Sequence, residues 1–112
     1  MTIKRITAIV PVDMLETLER DLRRCGVPGV TVEPVQGYGK HPNYFRRDLM
    51  QNNARVILYA AAQRVDAIVA ALVAGARAAG ADAGILSVES IERLVSLADG
   101  RDVDASSLEQ TE

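Results

Sequence analysis

The chain has 112 residues, of which 48% are apolar, 25% are charged and only 4% are aromatic, and its formal net charge is -2 at pH 7. This length suits one domain with a single aliphatic core, built from a sheet packed against helices. The slightly acidic balance gives no long-range attraction for nucleic acid, and no apolar run reaches the ~20 residues of a membrane-spanning helix, so we expect a cytoplasmic protein that does not bind nucleic acid.

The first half of the chain predicts a strand, a helix and a second strand. Apolar and polar residues alternate from Ile3 to Val12 and again from Val27 to Tyr38, as in half-buried strands. Between them, Asp13 is expected to cap the helix, because its carboxylate can accept hydrogen bonds from free amides, and Gly26 is expected to end it. The inward side chains of this helix are predicted to be Leu15, Leu18, Leu22 and Cys25.

The second half repeats this order. Alternation resumes at Ala54, residues 63–79 have helical spacing, and a fourth extended stretch is predicted over residues 85–97. From Ala98 the sequence turns polar, which predicts a frayed C-terminal tail over residues 98–112. The inward stripe of the second helix is predicted to be Val65, Ile68, Val69, Leu72 and Ala76.

The order β-α-β, loop, β-α-β predicts a ferredoxin-like α+β domain over residues 1–97, with a four-stranded antiparallel sheet and both helices on one face. Residues 40–53 have no periodicity and form the predicted loop. The sheet face opposite the helices would be uncovered although it is apolar, so we expect it to meet another subunit. The alternation assigns Ile9, Val35, Ile57 and Tyr59 to that face.

No group of residues has the makeup of a catalytic or metal site. His41 is the only histidine and has no cysteine or acidic residue beside it, and Cys25 is the only cysteine. Because hydrolases and transferases need a nucleophile with a base, paired carboxylates or a metal cluster, we expect neither enzymatic activity nor a bound metal. A small ferredoxin-like enzyme is the minority alternative.

The candidate binding site follows the second strand, in Gly37-Tyr38-Gly39-Lys40. Two glycines let the backbone approach a ligand with exposed amides, and the lysine can meet an anion. A plain turn is the alternative, because the spacing is not that of a nucleotide-binding motif. The loop that follows combines basic and aromatic residues, which suits an anionic ligand or a protein partner, with a solvated loop as the alternative. These loop residues are His41, Tyr44, Phe45, Arg46 and Arg47.

Three segments resemble the PII signal-transduction family: residues 6–11, 26–32 and 35–40, the last of which is similar to the Gly-Phe-Gly-Arg at the base of that family's T-loop. The resemblance implies a ferredoxin-like homotrimer with adenine nucleotides in the clefts between subunits. It also implies that loop 40–53 is a T-loop equivalent that contacts a membrane transporter or a metabolic enzyme. The nucleotide- or anion-binding residues that it implies are Thr31, Gly37, Tyr38, Gly39, Lys40, Gly84 and Arg101.

Two segments depart from the family's pattern. The family's Gly-Lys-Ile-Gly-Asp-Gly-Lys corresponds to residues 80–85, where both lysines are missing, and its Arg-x-Arg-Thr-Gly corresponds to residues 96–100, with only Arg101 nearby. Each lost charge-assisted contact removes about 1 to 3 kcal/mol, so ADP, AMP, a cyclic nucleotide or another small anion, such as bicarbonate, is expected in preference to ATP. The short loop and altered ligands resemble PII-like branches of inorganic-carbon uptake or other transport. The alternative is a trimeric interaction protein that has lost its nucleotide site.

Overall fold

The computed structural model describes residues 2–37, 51–78 and 84–108. The strands are β1 (Ile3–Pro11), β2 (Thr31–Gly37), β3 (Gln51–Ala61) and β4 (Ile85–Ser90), and the helices are α1 (Leu15–Arg24) and α2 (Val65–Ala78). Short 3-10 helices precede α1 and α2 and end the described chain, at Val12–Met14, Ala62–Arg64 and Ala105–Leu108.

The sheet has the order β2-β3-β1-β4, and every neighbouring pair of strands is antiparallel. Both β-α-β halves therefore interleave in one sheet, with β2 and β4 as its edges. The helices pack on one face of the sheet and share its core. This is the ferredoxin-like α+β arrangement that the sequence predicts.

The core forms where the alternation predicts it. Ile6 pairs with Leu58 and Ala8 pairs with Val56, and all four side chains are buried on the helix-bearing face. The helices add buried side chains to the same cluster at Leu18, Leu22, Ile68 and Leu72. Periodicity of two in the strands and of 3.6 in the helices is thus enough to identify the inward residues.

The start of α1 differs from the prediction. Asp13 lies inside the 3-10 helix Val12–Met14, and the residue that precedes α1 is Met14, which makes no side-chain capping hydrogen bond. A 3-10 turn has nearly the same spacing of apolar residues as a helix start, so pattern reasoning does not separate the two. The end of α1 is as predicted, because Gly26 has φ 82° and closes the helix.

The strand boundaries around the predicted loop also differ. Val27 does not begin β2, because its amide donates a 3.0 Å hydrogen bond to Leu22 and completes the end of α1. Residues 51–53 of the predicted loop belong to β3, where Asn53 pairs with Val35. Residues 40–50 lie outside the described part of the chain.

The C-terminal residues are ordered in a way that the sequence does not predict. β4 ends at Ser90, and residues 94–103 form a C-terminal hairpin in which Val103 donates a backbone hydrogen bond of 2.8 Å to Leu94. Beyond it, Ala105 is only 3% exposed. The prediction of a frayed tail is therefore wrong for residues 98–108, because backbone hydrogen bonds and one buried alanine anchor a polar segment.

This C-terminal segment covers one end of the sheet face opposite the helices. Ala105 packs against Ile3 and Ala61, which are paired across β1 and β3, and Tyr59 packs against the same cluster. Tyr59 lies on this face, as predicted, and is half-buried because it packs in part against its own chain. The other three side chains assigned to this face, Ile9, Val35 and Ile57, are half-buried and belong to neither core cluster.

Candidate ligand-binding site

The structure describes four of the predicted binding residues, Thr31, Gly37, Gly84 and Arg101. The remaining members of that set, Tyr38, Gly39 and Lys40, lie outside the described residues. The same is true of the predicted partner-binding residues His41, Tyr44, Phe45, Arg46 and Arg47.

Gly37 and Gly84 lie at the same end of the sheet. β2 runs parallel to β1 and β4 runs antiparallel to it, so the end of β2 and the start of β4 both lie where β1 ends. Gly37 is the last residue of β2, and Gly84 immediately precedes β4. Because these strands are the two edges, the glycines are separated by three strand spacings, about 14 Å across the sheet.

Gly84 is required by the fold itself. Its φ is 107°, and a Cβ atom at this position would lie 1.8 Å from the carbonyl oxygen of Ile9. Only glycine permits the chain to pass this close to β1 before β4 begins. The structure therefore supplies a reason for this glycine that does not involve a ligand.

The base of the predicted loop is a two-stranded ribbon that extends beyond the end of β1. Past the pair of Pro11 with Asn53, the residues of β2 and β3 continue to pair, and Gln36 Nε2 donates a 3.0 Å hydrogen bond to Asn52 Oδ1. Asn53 is buried, with 3% of its surface exposed. Sequence reasoning missed Asn52 and Asn53 because it assigned residues 51–53 to the loop, although their place directly before an apolar alternating run was a usable signal.

A groove of about 580 Å³ lies beside this ribbon. Carboxamides can donate and accept hydrogen bonds, and the apolar neighbours can pack against a ring or a short carbon chain. The groove is lined by Val12, Pro34, Val35, Gln36, Asn52 and Asn53.

Thr31 and Arg101 lie elsewhere. Thr31 begins β2 and pairs with Ile57, halfway along the sheet and on the face opposite the helices. Arg101 lies in the C-terminal hairpin, where its amide donates a 2.9 Å hydrogen bond to Asp99 Oδ1, and its carbonyl accepts one from Ser96. This hairpin is anchored where β1 begins, so a single chain does not bring the four described residues together.

The two arginines on the sheet face opposite the helices are already paired with glutamates. Arg5 Nη2 lies 2.8 Å from Glu89 Oε1 across β1 and β4, and Arg55 pairs with Glu33 across β3 and β2. The hydrogen bond and charge of Glu89 raise the pKa of Arg5 above its ordinary value, so it stays cationic. Neither arginine is therefore free to replace the cations that the sequence lacks.

The described residues also limit other kinds of site. Within residues 2–37, 51–78 and 84–108, no group of three histidine, cysteine or acidic side chains could hold a metal ion. In the same ranges no helix has the length and apolar character needed to cross a membrane.

Comparisons with known proteins give one family. The family model described as "Nitrogen regulatory protein P-II" matches residues 3–99. No curated protein sequence matches significantly. Among solved structures, the crystal structure of Arabidopsis thaliana PII bound to citrate is similar with a TM-score of 0.77, at 19% identity, over 99% of this chain and 94% of that chain. At this identity the structural likeness shows the shared fold.

Proposed function

Because the chain belongs to the nitrogen regulatory protein P-II family, we propose that it is a signal-transduction protein that senses an adenine nucleotide or a small anion in the clefts between the subunits of a homotrimer. Ligand binding changes the state of loop 40–53, and through this loop the protein regulates a membrane transporter or a metabolic enzyme. It acts in nitrogen or inorganic-carbon metabolism, catalyses no reaction itself, and lies in the cytoplasm or at the membrane through its partner.

The observation that carries this proposal is the distribution of the four described site residues. Gly37 and Gly84 lie at one end of the sheet, Thr31 begins the edge strand β2 halfway along the sheet, and Arg101 lies on a hairpin anchored at the other end. A small ligand cannot touch all four in one chain. Residues from two neighbouring subunits can meet in one cleft, which is the arrangement that the family resemblance implies.

The ligand class follows from the cations that remain. Lys40 and Arg101 are the cationic members of the proposed site. Arg5 and Arg55 are paired with Glu89 and Glu33. With fewer charge-assisted contacts, the site favours ADP, AMP or a singly charged anion such as bicarbonate over ATP.

The ribbon at the base of the loop supports the proposed switch. The Gln36–Asn52 hydrogen bond joins β2 to β3 one pair before the ladder ends at Gly37 and Gln51. A ligand bound beside this ribbon would touch the chain where it enters the loop. Its different affinity for two loop states would then shift their populations.

Thermal unfolding in the presence of ligands tests the proposal. The panel is ATP, ADP, AMP, cyclic AMP, cyclic di-AMP, 2-oxoglutarate and bicarbonate, each alone and each with a nucleotide. A ligand at 100 times its dissociation constant that binds only the folded protein adds about 2.7 kcal/mol of stability. The variant Lys40→Ala should lose most of that shift, whereas Lys4→Ala, which removes the other lysine of the chain, should keep it.

The outcomes separate the two candidate functions. A rise in the unfolding temperature with one nucleotide or anion, absent in Lys40→Ala, supports the sensor. No shift with any ligand favours the ligand-independent trimeric interaction protein, for which the missing lysines of residues 80–85 are the supporting observation.

A further inference from the structure

We propose that the crevice between α2 and the start of β4 is a second ligand site, and that it binds a small carboxylate with a short aliphatic tail. The tail occupies the crevice, and the carboxylate pairs with Arg77. This site goes beyond the proposed function, because it lies on the helix-bearing face of the sheet and needs no cleft between subunits.

The walls of this crevice belong to the core of the protein. It has a volume of about 280 Å³ and reaches Ala8 and Val10 of β1, Leu72 of α2 and Leu86 of β4. The first three of these are buried members of the main core cluster. Protein interiors leave few voids larger than a water molecule, so open space of this size against the core is unusual. Ligand pockets usually measure about 300 to 1,000 Å³, so the crevice suits a small molecule rather than a nucleotide.

Small side chains keep the crevice open. Ala8 of β1 and Ala76 of α2 both line it, and each carries only a methyl group. Gly84 also lines it and carries no side chain. A larger residue at any of these positions would occupy the space that the ligand tail needs.

The mouth of the crevice is apolar. Val73 of α2 and Ile85 of β4 line it, and they are 45% and 44% exposed. An aliphatic tail in the crevice covers both side chains. Removal of this apolar surface from water favours binding.

Arg77 supplies the charge that selects an anion. Among the described residues that line the crevice it is the only charged one, and the rest are apolar side chains and one glycine. Its side chain is exposed, and it takes part in none of the ion pairs of the described residues. A guanidinium can bind a carboxylate through two parallel hydrogen bonds. One cation beside an apolar crevice therefore matches one carboxylate on an aliphatic tail, whereas a polyphosphate would meet too few cations.

Arg77 also has a structural role. It lies in the last turn of α2, where the helix dipole favours a cation. That role acts on the stability of α2 and predicts no preference for one ligand over another. Ligand selectivity therefore distinguishes a binding role from a structural one.

Isothermal titration calorimetry with octanoate tests the site. Acetate carries the carboxylate without the tail, and 1-octanol carries the tail without the charge. We expect the wild type to bind octanoate at least about tenfold more tightly than either probe, and Arg77→Gln to bind octanoate about tenfold more weakly than the wild type. Arg20→Gln is the matched control, because it removes the same charge from an exposed position of α1 that does not line the crevice. Its octanoate affinity should equal that of the wild type.

Two further measurements test where the tail lies. Ala76→Leu adds a larger side chain inside the crevice, so octanoate should bind at least about tenfold more weakly to it, while thermal unfolding checks that the variant is folded. In methyl nuclear magnetic resonance spectra, octanoate should shift the signals of Val73, Ile85 and Leu86. The signal of Val32, which is exposed on the opposite edge strand, should stay in place.

Three results would overturn the inference. Octanoate that does not bind the wild type at any concentration below micelle formation is one, and equal octanoate binding by Arg77→Gln and Arg20→Gln is another. The third is a shift of the Val32 signal as large as those of Val73 and Ile85, which indicates nonspecific adsorption. Octanoate is not in the ligand panel of the proposed function. The two tests are therefore scored separately, and either proposal can fail without the other.

Discussion

Replacement of Gly84 by alanine should destabilise the protein by about 2 to 4 kcal/mol. The added Cβ atom would lie 1.8 Å from the carbonyl oxygen of Ile9, whereas a close carbon–oxygen contact is about 3.3 Å, so the backbone of β1 or β4 must move by about 1.5 Å. A side chain at φ 107° costs about 1 to 3 kcal/mol. Displacement of the first pair of the ladder, Ile85 with Ile9, adds about 1 kcal/mol.

Urea unfolding followed by far-ultraviolet circular dichroism measures this loss, at one fixed protein concentration because an oligomer's stability depends on concentration. For a small domain the midpoint should fall by about 1 to 3 M. Gly29→Ala is the matched control, because Gly29 does not have a positive φ and a Cβ atom there has no neighbour within 4 Å. A Gly84→Ala midpoint within error of the Gly29→Ala midpoint would refute the reasoning. If the loss is confirmed, weaker ligand binding by a Gly84→Ala variant could result from its lower stability alone.

Three further variants test the packing of the core and helices and the hydrogen bond that Asp104 accepts at the start of the last 3-10 helix. Gly75→Ala should stabilise the protein by about 0.5 to 1 kcal/mol in urea unfolding, because alanine favours the helix interior. The one atom within 3 Å of the added Cβ is a side-chain oxygen of Asp21, which can move away. A lower unfolding midpoint than that of the wild type would contradict this. Leu22→Ala, at a site 1% exposed, should lose about 2 to 5 kcal/mol in the same assay. The amide of Ser106 donates a hydrogen bond to Asp104 and lowers the pKa of that carboxyl in the folded protein. The carboxylate therefore stabilises the fold at pH values above the pKa that Asp104 has in the unfolded chain. This stabilisation is lost as the pH falls through the pKa that Asp104 has in the folded protein. The stability difference between wild type and Asp104→Ala should therefore shrink below about pH 4, and a difference that is constant with pH would contradict that assignment.

The secondary structure was predictable because its signals are local. Ile6, Ala8 and Val10 alternate in the sequence and are buried together in β1. Gly26 follows an apolar helical stripe and ends α1. The first turn of α1 was not predictable from Asp13, because a 3-10 turn and a capped helix start share the same spacing.

Only one part of the candidate site has a local signal in the sequence. The run from Gly37 to Lys40 is contiguous, so its composition alone suggested an anion site. The contact of Gly84 with Ile9 joins residues 75 positions apart, and no local pattern records such a contact. The ribbon pair of Gln36 with Asn52 depends in the same way on the register between two strands.

The sequence by itself determined which segments are strands and helices and which side chains they bury, because the hydrophobic effect acts on apolar periodicity that neighbouring residues carry. Only the tertiary structure decided whether the C-terminal residues are ordered. Their polar composition indicates a tail, yet Ala105 is buried against Ile3 and Ala61, and backbone hydrogen bonds close the C-terminal hairpin. Backbone groups are the same in every residue except proline, so a fold held by them leaves little trace in side-chain composition.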